Sequence, residues 1–243
     1  MKKLMNDKDV FFIPKDKNTE IMVPHPKPSK NYLPQWFKDM PPALSDLDNN
    51  KMDETAKKCI PFLDSLTSGY TQELACDLEI KNHGFDEETQ QDIITYNWSG
   101  PFKPMSTRME ETRSRNSLPN FDGYYSNEQH WNSFWEPKTP KGYSTLYYHP
   151  ANRFDLPFMT MNAIIDTDNW SLTGPVPFLI KKGFQGIIPA GTPIYQMIFI
   201  KREKWNSFKK EYNEEEQKSL EYGVRRFFKD GYKKLHWEKK DYL

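Results

Sequence analysis

The segment NAIIDTDNW (Asn162–Trp170) carries two carboxylates, Asp166 and Asp168, one residue apart at the end of an apolar, β-branched run. Carboxylates at a strand mouth do two kinds of chemistry. An ionised one within hydrogen-bond reach of a water can take its proton as a general base. Either can instead accept backbone N–H groups and close a turn. Residue type and spacing alone leave both roles open.

Other chemistry-bearing residues are sparse. His149 precedes Pro150 in HPANRFDLP and would ligate a metal only if folding brought it to Asp155 or Asp166, since no HxH or HxxxH pair accompanies it. HWNSFWEP (His130–Pro137) concentrates two Trp and a Phe. Such a cluster suits a core or subunit interface, or a stacking platform for a base or sugar. Cys59 and Cys76 form no CxxC pair and cannot make a Cys-only zinc site, so both read as reduced core thiols. No P-loop, dinucleotide fingerprint or nucleophile elbow occurs. No metal site is expected.

The bulk composition narrows the partners. Lys plus Arg total 34 and Asp plus Glu total 34, so the formal net charge is zero. That balance argues against a broad basic surface and a nucleic-acid partner. Aromatic residues make up 15% of the 243-residue chain, so its core is expected to rest on Phe, Tyr and Trp. No apolar stretch approaches a bilayer span, and MKKLMNDKDVFFIP lacks the apolar run of a secretory signal. A cytoplasmic location in a bacterial or infected cell is expected, with a virion as the other setting.

The elements that must position the acids are mostly strands. VFFIP (Val10–Pro14) is a strand candidate. A Pro-rich arm over 23–42 follows, with one helical turn near Gln35–Asp39. MDETAKKCIPFL reads as a short helix stopped by Pro61. Leu74, Cys76, Leu78 and Ile80 alternate with polar residues, the period of a half-buried strand, and IITYNW reads as its partner. Residues 99–132 are polar and poorly periodic, with Arg108, Arg113 and Arg115 alternating with Glu110 and Glu111. This excursion reads as a solvated surface or as a loop over a ligand. Tyr143–Tyr148, Phe158–Ile165, Val176–Lys181, Gln185–Ile188 and Ile194–Lys201 are strands divided by Pro, Gly or Asn. The spacing predicts a β-rich domain over 1–202 and a helical appendage over 203–243. In the latter, Trp205, Phe208 and Tyr212 share one helical face, and Asn213 caps a second helix.

AIIDTDNW followed by GTPIYQMIF resembles the third motif and following strand of the dUTP pyrophosphatase and dCTP deaminase superfamily. That pattern reads roughly G-V-I-D-x-D-Y-x-G and then G-x-x-I-x-Q. Gly191, Ile194 and Gln196 stand at the matching offsets, and HPANRFDLP lies where the family carries P-R-S-G. The likeness covers about Gly142 to Glu203. It implies a mainly β, β-clip-like distorted barrel over 142–202, commonly a homotrimer with sites between subunits. It further implies that Asp166 positions and activates water, that Arg153 meets a phosphate, and that Asp168 holds the strand mouth or a neighbouring subunit. Gln196 would line the ligand site. Asn169 replaces the tyrosine that packs against the base, and Trp170 would stack in its stead. The implied ligand is a nucleotide, with Mg²⁺ if the chain hydrolyses it and no cofactor otherwise.

The chain departs from that pattern in two places. No Ser-Gly follows Arg153, and the Gly-rich C-terminal phosphate arm is replaced by aromatic, helix-forming residues with only Gly223 and Gly231. More widely, PKPSKNYLPQWFKDMP, CIPFLDSLTSGY and TPKGYSTLYYHPANRFDLPF resemble a family of phage and marine bacterial proteins with no assigned activity. Two functions remain in view. One is a non-enzymatic, phage-associated binding or assembly protein on a dUTPase-like scaffold. The other is a nucleotide-processing hydrolase using Asp166.

Overall fold

The computed structural model describes residues 6, 8–46, 51–107, 119–126, 128–169, 174–226 and 231–243. The chain divides into two compact units, Met1–Tyr32 with Gly69–Arg202, and Leu33–Ser68 with Glu203–Leu243. The fold is mainly β, as its short alternating runs predict.

The first unit holds the sheets. The largest has the order β13 (Ala163–Ile165), β11 (Tyr143–Tyr148), β16 (Pro193–Lys201), β5 (Tyr70–Glu73) and β2 (Lys27–Pro28). A second has β12 (Phe158–Thr160), β14 (Val176–Ile180), β9 (Gln129–Trp131) and β8 (Met105–Thr107). A third has β15 (Gly186–Ile188), β6 (Leu78–Asp86) and β7 (Gln91–Trp98). β1 (Phe11–Pro14) pairs with β10 (Trp135–Lys138). Each strand order is open, so the ladders among the described residues do not close a barrel. A short helix, α1 (Lys17–Met22), starts where Asp16 Oδ1 accepts the Thr19 N–H at 2.7 Å.

The core is aromatic, as the composition requires. The Trp131 ring stacks on Phe178 at 3.6 Å between centroids and 7° between planes, and Phe158 meets it edge-on. The Trp131 Nε1–H donates to Thr160 Oγ1 at 3.0 Å, so burial leaves the indole no orphan donor. Tyr147, Tyr195 and Met197 carry this core onto the five-stranded sheet.

The second unit is a small α+β assembly. It contains the hairpin β3 (Ala43–Asp46) and β4 (Lys51–Glu54), with helices α2 (Gln35–Asp39), α3 (Ile60–Thr67), α4 (Glu214–Arg226) and α5 (Gly231–Leu235). Phe37 stacks on Phe62 at 5.9 Å, and Trp237 Nε1 and Lys240 Nζ both donate to Asp64 Oδ2, at 3.0 and 2.8 Å. Asn213 caps α4 as expected, its Oδ1 accepting the N–H groups of Glu215 and Glu216.

Several local expectations change. Pro61 opens α3 rather than ending a helix, because a proline in the first turn removes only an N–H that has no intrahelical partner. The aromatic run over 203–213 is not helical, and Trp205, Phe208 and Tyr212 are exposed. Asn206 and Ser207 interrupt it with weak helix formers, and the cap that starts a helix comes only at Asn213. The expected strand over 158–165 is two strands in two sheets, with Met161 N donating to Pro177 O at the switch. The run from Leu74 to Ile80 is likewise broken, and pairing resumes at Leu78. Cys59 is exposed and Cys76 half-buried, so neither is a core thiol. Part of the expected excursion over 99–132 builds β8 and β9; Arg108, Arg113, Arg115, Glu110 and Glu111 lie outside the described residues.

Candidate functional site

The acids sit where β13 ends. Ile165 pairs with Thr145 on β11, so the next residue, Asp166, emerges beside Ser144. The Ser144 hydroxyl donates to Asp166 Oδ1 at 2.7 Å. The chain then turns: the Asn169 N–H donates to the Asp166 carbonyl at 3.1 Å. Thr167 points inward, and its hydroxyl meets those of Thr139 and Thr145, each at 2.8 Å. A threonine between two acids thus acts as a peg that holds the turn on β11.

The two carboxylates have unlike surroundings. The Asp166 side chain is 61% exposed, whereas that of Asp168 is 2% exposed. Asp168 Oδ2 accepts the Gly142 N–H at 2.7 Å and a guanidinium N–H from Arg202. Those contacts, with the Arg202 hydrogen bond foremost, hold the Asp168 carboxyl down at about 2, well below the usual carboxylate range. Asp168 Oδ1 has no hydrogen-bond partner among the described residues. The same guanidinium donates from Nη1 to the Tyr143 carbonyl at 2.9 Å and to Ser144 Oγ at 3.0 Å, and pairs with Asp166 Oδ1 at 3.2 Å. Lys138 Nζ caps the Asp168 carbonyl at 2.6 Å.

Arg202 was not among the residues singled out from sequence. Its signal is its place one residue beyond β16, where its N–H donates to the Gly142 carbonyl at 2.7 Å and fixes the arginine beside the turn. The positive charge between the acids is therefore a protein side chain. Among the described residues no group of three His, Cys, Asp or Glu converges.

Gln196 and Arg153 lie elsewhere. Gln196 pairs with Tyr148, at the far end of β11 from Ser144, whose partner is Ile200. Four residue steps along a strand span about 13 Å. Gln196 is buried, and its Oε1 accepts the Ala151 N–H at 3.0 Å. It belongs to the same sheet as the acids, with β11 between the two strands. The Arg153 guanidinium forks onto Asp155, with Nε–Oδ1 at 2.9 Å and Nη2–Oδ2 at 2.8 Å. It holds its own loop rather than reaching toward Asp166. Asn169 is exposed beside the acids, and Trp170 lies outside the described residues.

The second unit has a cleft of about 450 Å³, lined by Thr55, Lys58, Cys59, Ile60, Tyr232 and Lys233 among others. It contains none of the residues predicted to act. Compared with known proteins, the chain matches no family model, no curated protein and no solved structure. What the acid end can do chemically follows from its contacts. Asp168 and Arg202 fasten the strand mouth, and Asp166 presents a carboxylate to solvent with one oxygen already bonded.

Proposed function

We propose that the chain is a non-enzymatic, phage-associated binding or assembly protein, working as a homo-oligomer with a trimer favoured. The observation that carries this reading is the Asp166–Arg202–Asp168 cluster. Within one subunit Arg202 offsets one of the two carboxylate charges, and Asp168 Oδ2 and Asp166 Oδ1 are already engaged by Arg202, Gly142 and Ser144. A general base must hold a water in a fixed place with a free lone pair. Transfer from a nucleotide triphosphate further needs cations and backbone N–H groups gathered on the phosphates. Arg153, the residue expected to meet a phosphate, is already forked onto Asp155. The oligomer and the phage setting rest on the resemblance described above.

One observation favours the second reading, a nucleotide-processing hydrolase. Asp166 is the more exposed acid, and Ser144 and Arg202 hold only its Oδ1. Incubating the purified protein with a nucleotide panel and Mg²⁺ separates the two readings. No turnover above a no-protein blank is the expected result. Turnover that disappears in Asp166→Asn would establish the hydrolase instead. Light scattering on the same sample checks the oligomer, with a trimer expected and a monomer counting against assembly.

A further inference from the structure

The loop that joins β11 to β12 is built with unusual care for a surface connection. Asn152 at its tip adopts a left-handed backbone, φ +56°, which costs energy for a residue with a side chain. Several side chains hold the loop in place. Gln196 Oε1 accepts from Ala151 N, Arg153 forks onto Asp155, and Lys181 Nζ donates to the Phe154 carbonyl at 2.5 Å. Phe154 is displayed at 76% exposure. A further side-chain pin is His149, which no part of the proposed function uses.

The hydrogen bonds fix the protonation state of His149. Its Nδ1 lies 3.2 Å from the Thr160 backbone N–H, a group that can only donate, so Nδ1 must be the unprotonated acceptor. Its Nε2 lies 3.1 Å from the Arg153 carbonyl, a group that can only accept, so Nε2 must carry the proton. The ring is therefore neutral, and it ties the loop at Arg153 to β12 at Thr160. Phe158 packs edge-on against it at 5.8 Å.

We infer that His149 is an acid-sensitive latch: protonation of Nδ1 sets a donor against the Thr160 N–H and releases the loop that displays Phe154. The charged groups around the ring reinforce this. Arg153 on the loop and Lys181 just past β14 oppose a second positive charge, while Asp155 favours it. Asp155 is already committed to Arg153. Burial is the largest cause and pushes the imidazole below its ordinary value. The sign follows. A histidine whose folded value is depressed contributes its full stability above its unfolded value, near ~6.5, and loses it as pH falls toward the folded value. Across that window, opening of the latch rises by at most about tenfold per pH unit.

Residue-resolved amide exchange from pH 7.5 to 5 tests the latch. After correction for the intrinsic exchange rate, protection of the Thr160 amide is expected to fall as pH drops below ~6.5, by at most about tenfold per unit. In His149→Gln the side-chain amide can accept from Thr160 and donate to Arg153 without titrating, so protection there is expected to stay flat. Flat protection in the wild type, or an equal fall in the variant, would overturn the latch. Should the variant not fold, imidazole ¹⁵N shifts of the wild type decide. A neutral Nε2–H ring persisting below pH 6.5 supports the latch, and titration at or above the ordinary imidazole value refutes it.

Discussion

The two ends of β11 are fastened by different chemistry. At the Ser144 end, two carboxylates and one guanidinium close the strand mouth, with Asp168 buried and Asp166 open to water. At the Tyr148 end, an uncharged glutamine and a neutral histidine hold a loop by its backbone, and the ion pair of Arg153 with Asp155 stays within that loop. The residues that the dUTPase-like pattern would gather into one site are thus divided between two fastenings about 13 Å apart. In this chain the matching positions lie beside the two ends of β11. Whether such a position also does chemistry depends on what is left unpaired, and here most of the polar capacity points inward.

The contrast gives the two ends different sensitivities. The largest effect is expected for Asp168→Ala, which strands the Gly142 N–H and removes a partner of Arg202. It should cost about 2 kcal/mol, read as a lower urea midpoint at pH 7. Because the folded Asp168 value is depressed to about 2, its contribution is complete above about pH 4 and is lost as pH falls toward 2. The gap between wild type and variant should therefore shrink over that window. Gln196→Ala comes next, at about 1.5 kcal/mol, because it leaves the Ala151 N–H without its acceptor. Its cost should not change between pH 7 and 8, above the window in which the His149 latch opens, and a pH-dependent cost there would blur the distinction between the ends. Ser144→Ala should cost about 1 kcal/mol by the same measurement, since Asp166 keeps its contact with Arg202. The smallest effect is expected for Asn152→Gly. Relief of the left-handed backbone and the greater freedom of the unfolded chain oppose one another, leaving a change within about 0.5 kcal/mol. Asn152→Val, which cannot take that conformation cheaply, should cost about 1–2 kcal/mol and loosen the loop.

Much of the scaffold was legible in the sequence because period and punctuation report which face of a segment is buried. The alternation through YSTLYY gives β11, and the turn residues around Gly142 and Gly191 bound the strands they separate. Burial of Trp131 and Trp135 follows from the aromatic content of HWNSFWEP. Periodicity says nothing of partners, however. Nothing local in FMTMNAII signals that Phe158–Thr160 and Ala163–Ile165 join different sheets. Arg202 falls just past the run read as a strand, Ile194–Lys201, and only the β11–β16 register brings it to Asp168. The helical spacing of Trp205, Phe208 and Tyr212 misled for a related reason: spacing describes a face only where a helix has formed. For His149, the residue type was visible but its role was not, since both of its hydrogen bonds go to backbone groups.

The central claim is that the buried member of the acid pair is a structural fastening held by Arg202. A carboxyl-carbon NMR titration of Asp168 in the wild-type protein tests it most directly. The expected midpoint is about 2. A midpoint near the ordinary aspartate value, about 4, would mean that no such buried pair forms and would contradict the account.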